Sequence, residues 1–291
     1  MIPMTRRSFT LSAVAAASLQ VPAFGRKLST FGVQLYTVRS IINKDPERVL
    51  NEIESAGYKE IEATSDNLDK IMGAVRKTKM RPVSIHLDTA LFTTHRDKLG
   101  PALENAKKFG FEYVVCPYID PKDRGGVDVM KKLAENLNKA GAQCLAAGLK
   151  LCYHNHAFEF APAGPQGGKD GGTLMDVLLA NTDPKHLGWE MDIFWVAVTG
   201  NDPSDLLKKY PNRVALMHLK DKADDVAKRF DENVPRTAFK EVGTGKMDLK
   251  RILHTATQTG VKHYFVEQDS TPGDPVASLK VSASHLKSFD F

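Results

Sequence analysis

The chain has 291 residues, with 40 Lys and Arg against 35 Asp and Glu for a formal charge of +5, 42% hydrophobic residues and three cysteines. That length can bury a large core, and the ordinary balance of apolar and charged residues excludes disorder, collagen and coiled coil. Cys116, Cys144 and Cys152 are too few and too scattered for a disulfide framework or a thiolate zinc site and read as reduced core residues, and no apolar run reaches the roughly 18 residues of a membrane-spanning helix.

Residues 1–25 carry Arg6 and Arg7, no acid, and then a mildly apolar Ala-rich stretch that ends near small residues. This is the layout of an export signal, and Thr5-Arg6-Arg7-Ser8-Phe9 resembles the twin-arginine type. The expectation is a leader over 1–25 and a single domain over 29–291, acting in the periplasm or otherwise exported. Removing the leader takes two positive charges and no negative one, and no Lys/Arg run exceeds two residues. There is then no electrostatic footprint for nucleic acid or an anionic membrane, and stable membrane insertion is not expected.

From Ser29 onward, short runs rich in β-branched and aromatic residues alternate with segments of helical period, which argues for parallel βα units. The pattern predicts strands at Phe31–Tyr36, Glu60–Ala63, Pro82–Leu87, Tyr113–Pro117, Leu149–His154, Leu187–Asp192, Val214–Leu219 and Tyr264–Glu267. Helices are predicted at Pro46–Ala56, Asn67–Thr78, Arg96–Phe109, Val127–Ala147, Thr173–Ala180, Pro203–Lys209, Leu249–Thr259 and Pro275–Lys287. Gly57, Gly110, Gly148 and Gly260 each stand just past a helix and before a strand, where a left-handed residue is wanted. Eight strands, each with a helix to follow, match a (β/α)8 TIM barrel. A doubly wound sheet is the competitor, but no strand is followed by Gly-x-Gly-x-x-Gly. The stretch Gly164–Asp170 fails as a phosphate loop, with Ala163 and Asp170 where Gly and Ser/Thr are needed, and reads as a loop after strand five.

In such a barrel the chemistry sits at the C-terminal ends of the strands. The residues there are polar: Gln34 and Glu62, then His86 and Asp88, His154 to His156, Glu190 and Asp192, His218, Lys220 and Asp221, and Glu267 to Asp269. Carboxylates and imidazoles converging from several strands suit one divalent ion among Mn²⁺, Co²⁺, Zn²⁺ and Mg²⁺. Each residue alone reads more simply as a cap or a hydrogen-bonded structural group; the joint pattern carries the argument.

Four segments, Tyr153-His154-Asn155-His156, Trp189-Glu190-Met191-Asp192, His218-Leu219-Lys220-Asp221 and Glu241-Val242-Gly243-Thr244-Gly245, together with Phe31–Tyr36 and Val266–Asp269, resemble the sugar phosphate isomerase/epimerase family with the xylose isomerase-like barrel. The resemblance spans essentially everything after residue 29. It implies a metal held by Glu, Asp, His and Glu after strands five to eight, which places Asp192, His218 and Glu267 on the last three positions. At strand five this chain has His154 where many members have Glu, so the implied set is His154, Asp192, His218 and Glu267, and more imidazole favours Mn²⁺, Co²⁺ or Zn²⁺. Glu159, five residues on, could fold back as a replacement carboxylate, though it reads more simply as a loop residue. The apurinic endonuclease branch of the same superfamily needs more ligands than nine histidines supply when His95, His254 and His285 fall in helices or turns.

The resemblance implies a sugar isomerase or epimerase that moves a proton next to a carbonyl of a small-molecule carbohydrate. Glu267 and a strand-five group, His154 or Glu159, would be the two bases. His156, Lys220, His86 and Glu62 would hold substrate hydroxyls. The acids Asp269 and Asp274 in the loop after strand eight argue for a non-phosphorylated sugar or keto-sugar. The alternatives are a 3-keto-glycoside lyase or hydratase using the same metal site, and a non-catalytic periplasmic sugar-binding barrel. A homo-oligomer is compatible with all three.

Overall fold

The computed structural model describes residues 27–164 and 172–291. The leader over 1–25 and all but the first residue of the glycine-rich stretch 164–170 lie outside the described residues. Eight parallel strands, β1 (Gly32–Gln34), β2 (Glu60–Thr64), β3 (Arg81–His86), β4 (Tyr113–Cys116), β5 (Lys150–His154), β6 (Leu187–Asp192), β7 (Val214–Leu219) and β10 (His263–Val266), close into a barrel in the order β1-β10-β7-β6-β5-β4-β3-β2. This is the TIM barrel the alternation predicts.

Helices α1 (Pro46–Ala56), α2 (Leu68–Val75), α3 (Leu99–Lys108), α4 (Val127–Ala146), α5 (Leu174–Ala180), α6 (Ile193–Val198), α7 (Pro203–Lys209), α8 (Leu249–Thr259) and α9 (Pro275–Ser288) connect the strands. The glycines expected to stop helices do so in left-handed conformation, Gly57 at φ 106° after α1 and Gly260 at φ 98° after α8. No helix among the described residues is long and apolar enough to cross a membrane.

Two features depart from the predicted pattern. Helix α6 begins directly after β6 because Asp192 caps it, Oδ1 accepting from Phe194 N (2.9 Å) and Trp195 N (3.1 Å). After β7 the chain forms a small antiparallel hairpin, β8 (Asp221–Lys222) with β9 (Phe239–Lys240). Asp221 is buried under it and accepts from the backbone N–H groups of Lys222, Gly243, Gly245 and Met247. A Cβ on Gly245 would fall 2.3 Å from Asp221 Oδ1, so Glu241–Gly245 is a segment shaped around one buried carboxylate.

The core has two shells. Most buried apolar side chains lie between strands and helices, among them Tyr153, Trp189 and Met191. A separate cluster of Val83, Tyr113, Val115, Cys152, Leu216 and Phe265 packs together. Cys152, Leu216 and Phe265 each stand two residues before His154, His218 and Glu267. The period of two along a strand makes them the apolar floor beneath those groups.

Candidate metal centre

Strand register places the polar groups side by side. His154 is the register partner of Glu190, Asp192 of His218, and Gln34 of Glu62. Closure then brings one donor atom each of His154, Asp192, His218 and Glu267 within 4.8 Å of one another, all four residues buried.

Both imidazoles stand between two sets of carboxylates. His218 Nδ1 lies 2.9 Å from Glu267 Oε2 and 3.9 Å from Asp192 Oδ2, while its Nε2 meets Glu62 Oε1 at 2.5 Å and Glu190 Oε2 at 3.5 Å. His154 turns Nε2 toward Asp192 Oδ2 (3.7 Å) and Nδ1 toward Glu190 Oε2 (3.1 Å). Each ring thus has one nitrogen facing the Asp192 and Glu267 side and the other on a deeper acid, the arrangement in which an outer carboxylate orients a metal-ligating imidazole. His86 Nε2 closes the deeper layer at 2.8 Å from Glu190 Oε2 and 3.1 Å from Glu62 Oε1, and Gln34 Nε2 donates to Glu62 Oε1 (2.8 Å). A second overlapping group, His86, His154, Glu190 and His218, has similar spacing.

The donor set suits a divalent cation. Asp192 and Glu267 supply two negative charges, His154 and His218 two nitrogens, and the buried Asp192 Oδ2 faces both imidazoles. Lys220, almost wholly buried, puts Nζ 2.8 Å from Asp192 Oδ2, 2.8 Å from Glu267 Oε2 and 2.6 Å from Asp269 Oδ2. Its ammonium is the protein's own cation among these acids.

Charge states follow from burial set against neighbours. Burial, followed by the neighbouring His218, His156, His86 and Lys220, holds His154 well below the usual histidine range, which favours the neutral ring. Burial and Lys220 do the same to His156. Burial opposes the charge on Glu62, but His86 and His218 outweigh it and hold the carboxyl well below its ordinary range. Burial likewise opposes ionisation of Glu267, and Lys220 with His218 overcomes it. Glu190 goes the other way: burial and the facing Glu62 push it up to about 8. His86, despite burial, is lifted to about 10 by Glu62 and Glu190.

The site opens into a cavity of about 330 Å³ whose walls include Tyr36, His86, Tyr118, His154, Lys220 and Glu267. His156 is on the same wall, with Nδ1 buried and unpaired. Glu62, Asp192 and His218 lie beneath. Glu159 does not join the cluster. It is fully buried on a 3-10 turn, Oε1 accepting from the Tyr153 hydroxyl (2.7 Å) and Oε2 from His156 N (2.9 Å). Tyr153 belongs to the outer core shell, so the fold-back that would make Glu159 a replacement carboxylate is not what the structure has. The residue that sequence reasoning undervalues is Glu190. Its signal is the two-residue offset from Asp192, which puts both on one strand face with Glu190 a layer deeper.

Glu159 has a consequence of its own. Burial pushes its carboxyl up to about 8, so between the unfolded carboxyl range near 4.3 and pH 8 the folded chain holds a proton the unfolded chain does not. Stability should therefore fall as pH rises across that window. Urea midpoints from pH 5 to 9 are expected to decline in the parent and to decline less in Glu159→Gln; parallel pH profiles would contradict this.

Imidazoles and carboxylates gathered at the C-terminal mouth of a barrel define a candidate metal centre, and the comparisons give the family of the barrel. The chain belongs to the xylose isomerase-like TIM barrel family, whose model matches residues 50–289. It is 30% identical over 181 residues to an inosose dehydratase of Clostridium perfringens; the match covers 59% of this chain, and only 58% of that relative's length is spanned. Among solved structures, a sugar phosphate isomerase/epimerase of Parabacteroides distasonis superposes with a TM-score of 0.76 at 21% identity, covering 89% of this chain and 98% of that one. The IOLI protein, whose structure contains a bound zinc atom, gives 0.68 at 16% identity over 90% and 99% of the two chains.

Proposed function

We propose that this protein is a metal-dependent enzyme that moves a proton at the carbon beside the carbonyl of a non-phosphorylated sugar or keto-sugar, as an isomerase or epimerase. The observation that carries the reading is the four-donor cluster of His154, Asp192, His218 and Glu267, each imidazole backed by a deeper carboxylate. When bound there, a divalent ion such as Mn²⁺, Co²⁺, Zn²⁺ or Mg²⁺ supplies the electrostatic stabilisation of charge developing on the substrate oxygens next to the reacting carbon.

Glu267 and His154 both stand on the cavity wall in proton-accepting form, the first ionised and the second neutral. Glu267 is the group assigned to take the proton, while His154, with one nitrogen toward Asp192 and the other on Glu190, is the one assigned to hold the ion. His156 offers its unpaired Nδ1 to a substrate hydroxyl, and His86 presents a cationic ring to the same space. Glu62 acts from below by orienting His218. Lys220 holds Asp192, Glu267 and Asp269 in place. The wall carries Asp66, Asp88, Glu267 and Asp269 against Lys220 and His86, both already paired with acids, which disfavours a phosphate dianion.

Elimination of a neighbouring oxygen after the same proton loss, as in a lyase or dehydratase, is the second reading. It is favoured by the inosose dehydratase relatives and by the cationic His86 on the wall as a proton source for the departing oxygen.

The test is incubation of the Mn²⁺-supplemented protein in D₂O with a panel of free keto-sugars, their phosphate esters and 3-keto-glycosides. Deuterium is expected at the carbon beside the carbonyl, with the free compounds exceeding the esters in kcat/KM. A changed stereocentre marks the epimerase and an unsaturated product the lyase. Absence of exchange with every compound would sink the reading.

A further inference from the structure

Beside the sugar cavity lies a larger chamber of about 830 Å³, formed by the loops after β3 and β4 and the start of α4. Asp88, Pro117 and Tyr118 line both spaces, so they share a wall. We infer that the chamber receives an apolar, ring-sized substituent carried by the sugar, so that the substrate is a glycoside of an apolar alcohol; this rests on the sugar-enzyme reading above.

The chamber's walls carry the apolar side chains of Tyr118, Ile119, Val129, Met130, Leu133 and Phe158, with Thr89, Thr93, Arg124 and Asn136 among them. Its charged residues include Asp120, Lys122, Asp123 and Lys132, all exposed to solvent. An aromatic or aliphatic ring finds there the apolar contact it needs, on Tyr118, Val129, Met130 and Phe158.

The exposure of large apolar residues points the same way. Among the described residues, five are substantially exposed: Tyr36, Tyr118, Val129, Leu145 and Val281. Tyr36 faces the sugar cavity, Val129 the chamber, and Tyr118 both. Three of five therefore lie along one continuous path from the metal centre outward, and an exposed apolar path of that kind marks a binding surface.

The shared wall is also fixed in advance. The Arg124 guanidinium lies over the rings of Tyr118 (5.1 Å) and Phe158 (4.1 Å), and its Nη1 pairs with Glu232 at 2.7 Å, tying the β4 loop to the long loop after β8. Tyr118 also meets His156 edge to face at 5.1 Å between ring centroids. A substituent held there would continue directly from a sugar that touches His156.

The experiment is calorimetric titration of the full chain, supplemented with Mn²⁺, with the methyl and the 4-nitrophenyl glycosides of 3-keto-glucose. The aryl compound is expected to bind on the order of tenfold to a hundredfold more tightly, the effect of burying one aromatic ring. In Val129→Trp, where indole occupies the chamber from an exposed helix position, that ratio should fall toward one, with an unchanged melting temperature showing the fold intact. Equal affinity for the two glycosides in the parent, or an undiminished ratio in the variant, would overturn the assignment and leave the sugar-enzyme reading standing. Failure of both glycosides to bind, together with no deuterium exchange, would overturn both. Sedimentation of parent and variant covers the competing occupant: a dimer in the parent that Val129→Trp dissociates would make the chamber an interface between copies and also overturn the assignment.

Discussion

Asp192→Asn is expected to lower metal content below about a tenth of the parent's and activity by roughly a thousandfold, the loss that several kcal/mol of Lewis-acid stabilisation represents, while the barrel stays folded. The choice of Asn matters. Asp192 Oδ1 caps α6 through Phe194 and Trp195, and an amide oxygen can take over both bonds. Oδ2, the atom that faces His154, His218 and Lys220, is the one replaced by a non-ligating NH₂. Lys220 retains Glu267 and Asp269, so the structural cost is about 1–3 kcal/mol, that of one spoiled buried polar contact. Metal analysis by mass spectrometry beside urea unfolding checks both halves. Undiminished metal in Asp192→Asn would move the site to the overlapping group of His86, His154, Glu190 and His218.

Lys220→Met should show how the protein manages its own acids. The ammonium is the shared partner of Asp192, Glu267 and Asp269, in a position with almost no exposure. Removing one partner of a buried ion pair costs about 3–5 kcal/mol, because the remaining charge is stranded; here three carboxylates are left with less compensation. In chelator the variant is expected to unfold at markedly lower urea than the parent. Mn²⁺ should then restore more stability to the variant than it adds to the parent, since the ion neutralises Asp192 and Glu267 and stabilises whichever state binds it. Equal stability of variant and parent in chelator, or recovery no larger than the parent's, would show that Lys220 is not the counter-cation described.

The barrel was legible because its signals are local. Apolar runs of four to six residues, helices with apolar stripes, and glycines such as Gly57 and Gly260 at their ends each depend on a few neighbouring residues. The order of eight such units admits few topologies. That His154, Asp192, His218 and Glu267 stand at strand ends was legible for the same reason, but choosing these four from the many polar residues at that mouth took the family resemblance. Helix α6 was not legible, because a six-residue apolar run directly after β6 has no periodic stripe and its start depends on where the Asp192 side chain points. Asp221 stands in a motif that resembles the family's site, yet its carboxylate faces the backbone of Gly243 and Gly245 and does structural work.

What the sequence by itself determined is which residues reach the mouth of the barrel, since strand direction and the alternation of side chains are properties of consecutive residues. What only the tertiary structure decided is the pairing among them. Glu62 meets His218 across 156 residues of chain, His86 meets Glu190 across 104, and Glu159, although only five residues from His154, is turned into the outer shell by Tyr153. Those partnerships depend on the stagger with which the strands close and on which face of β5 a turn folds back against, and both are fixed by the packing of the whole barrel, where a buried carboxylate must find whatever donor the closed structure places beside it.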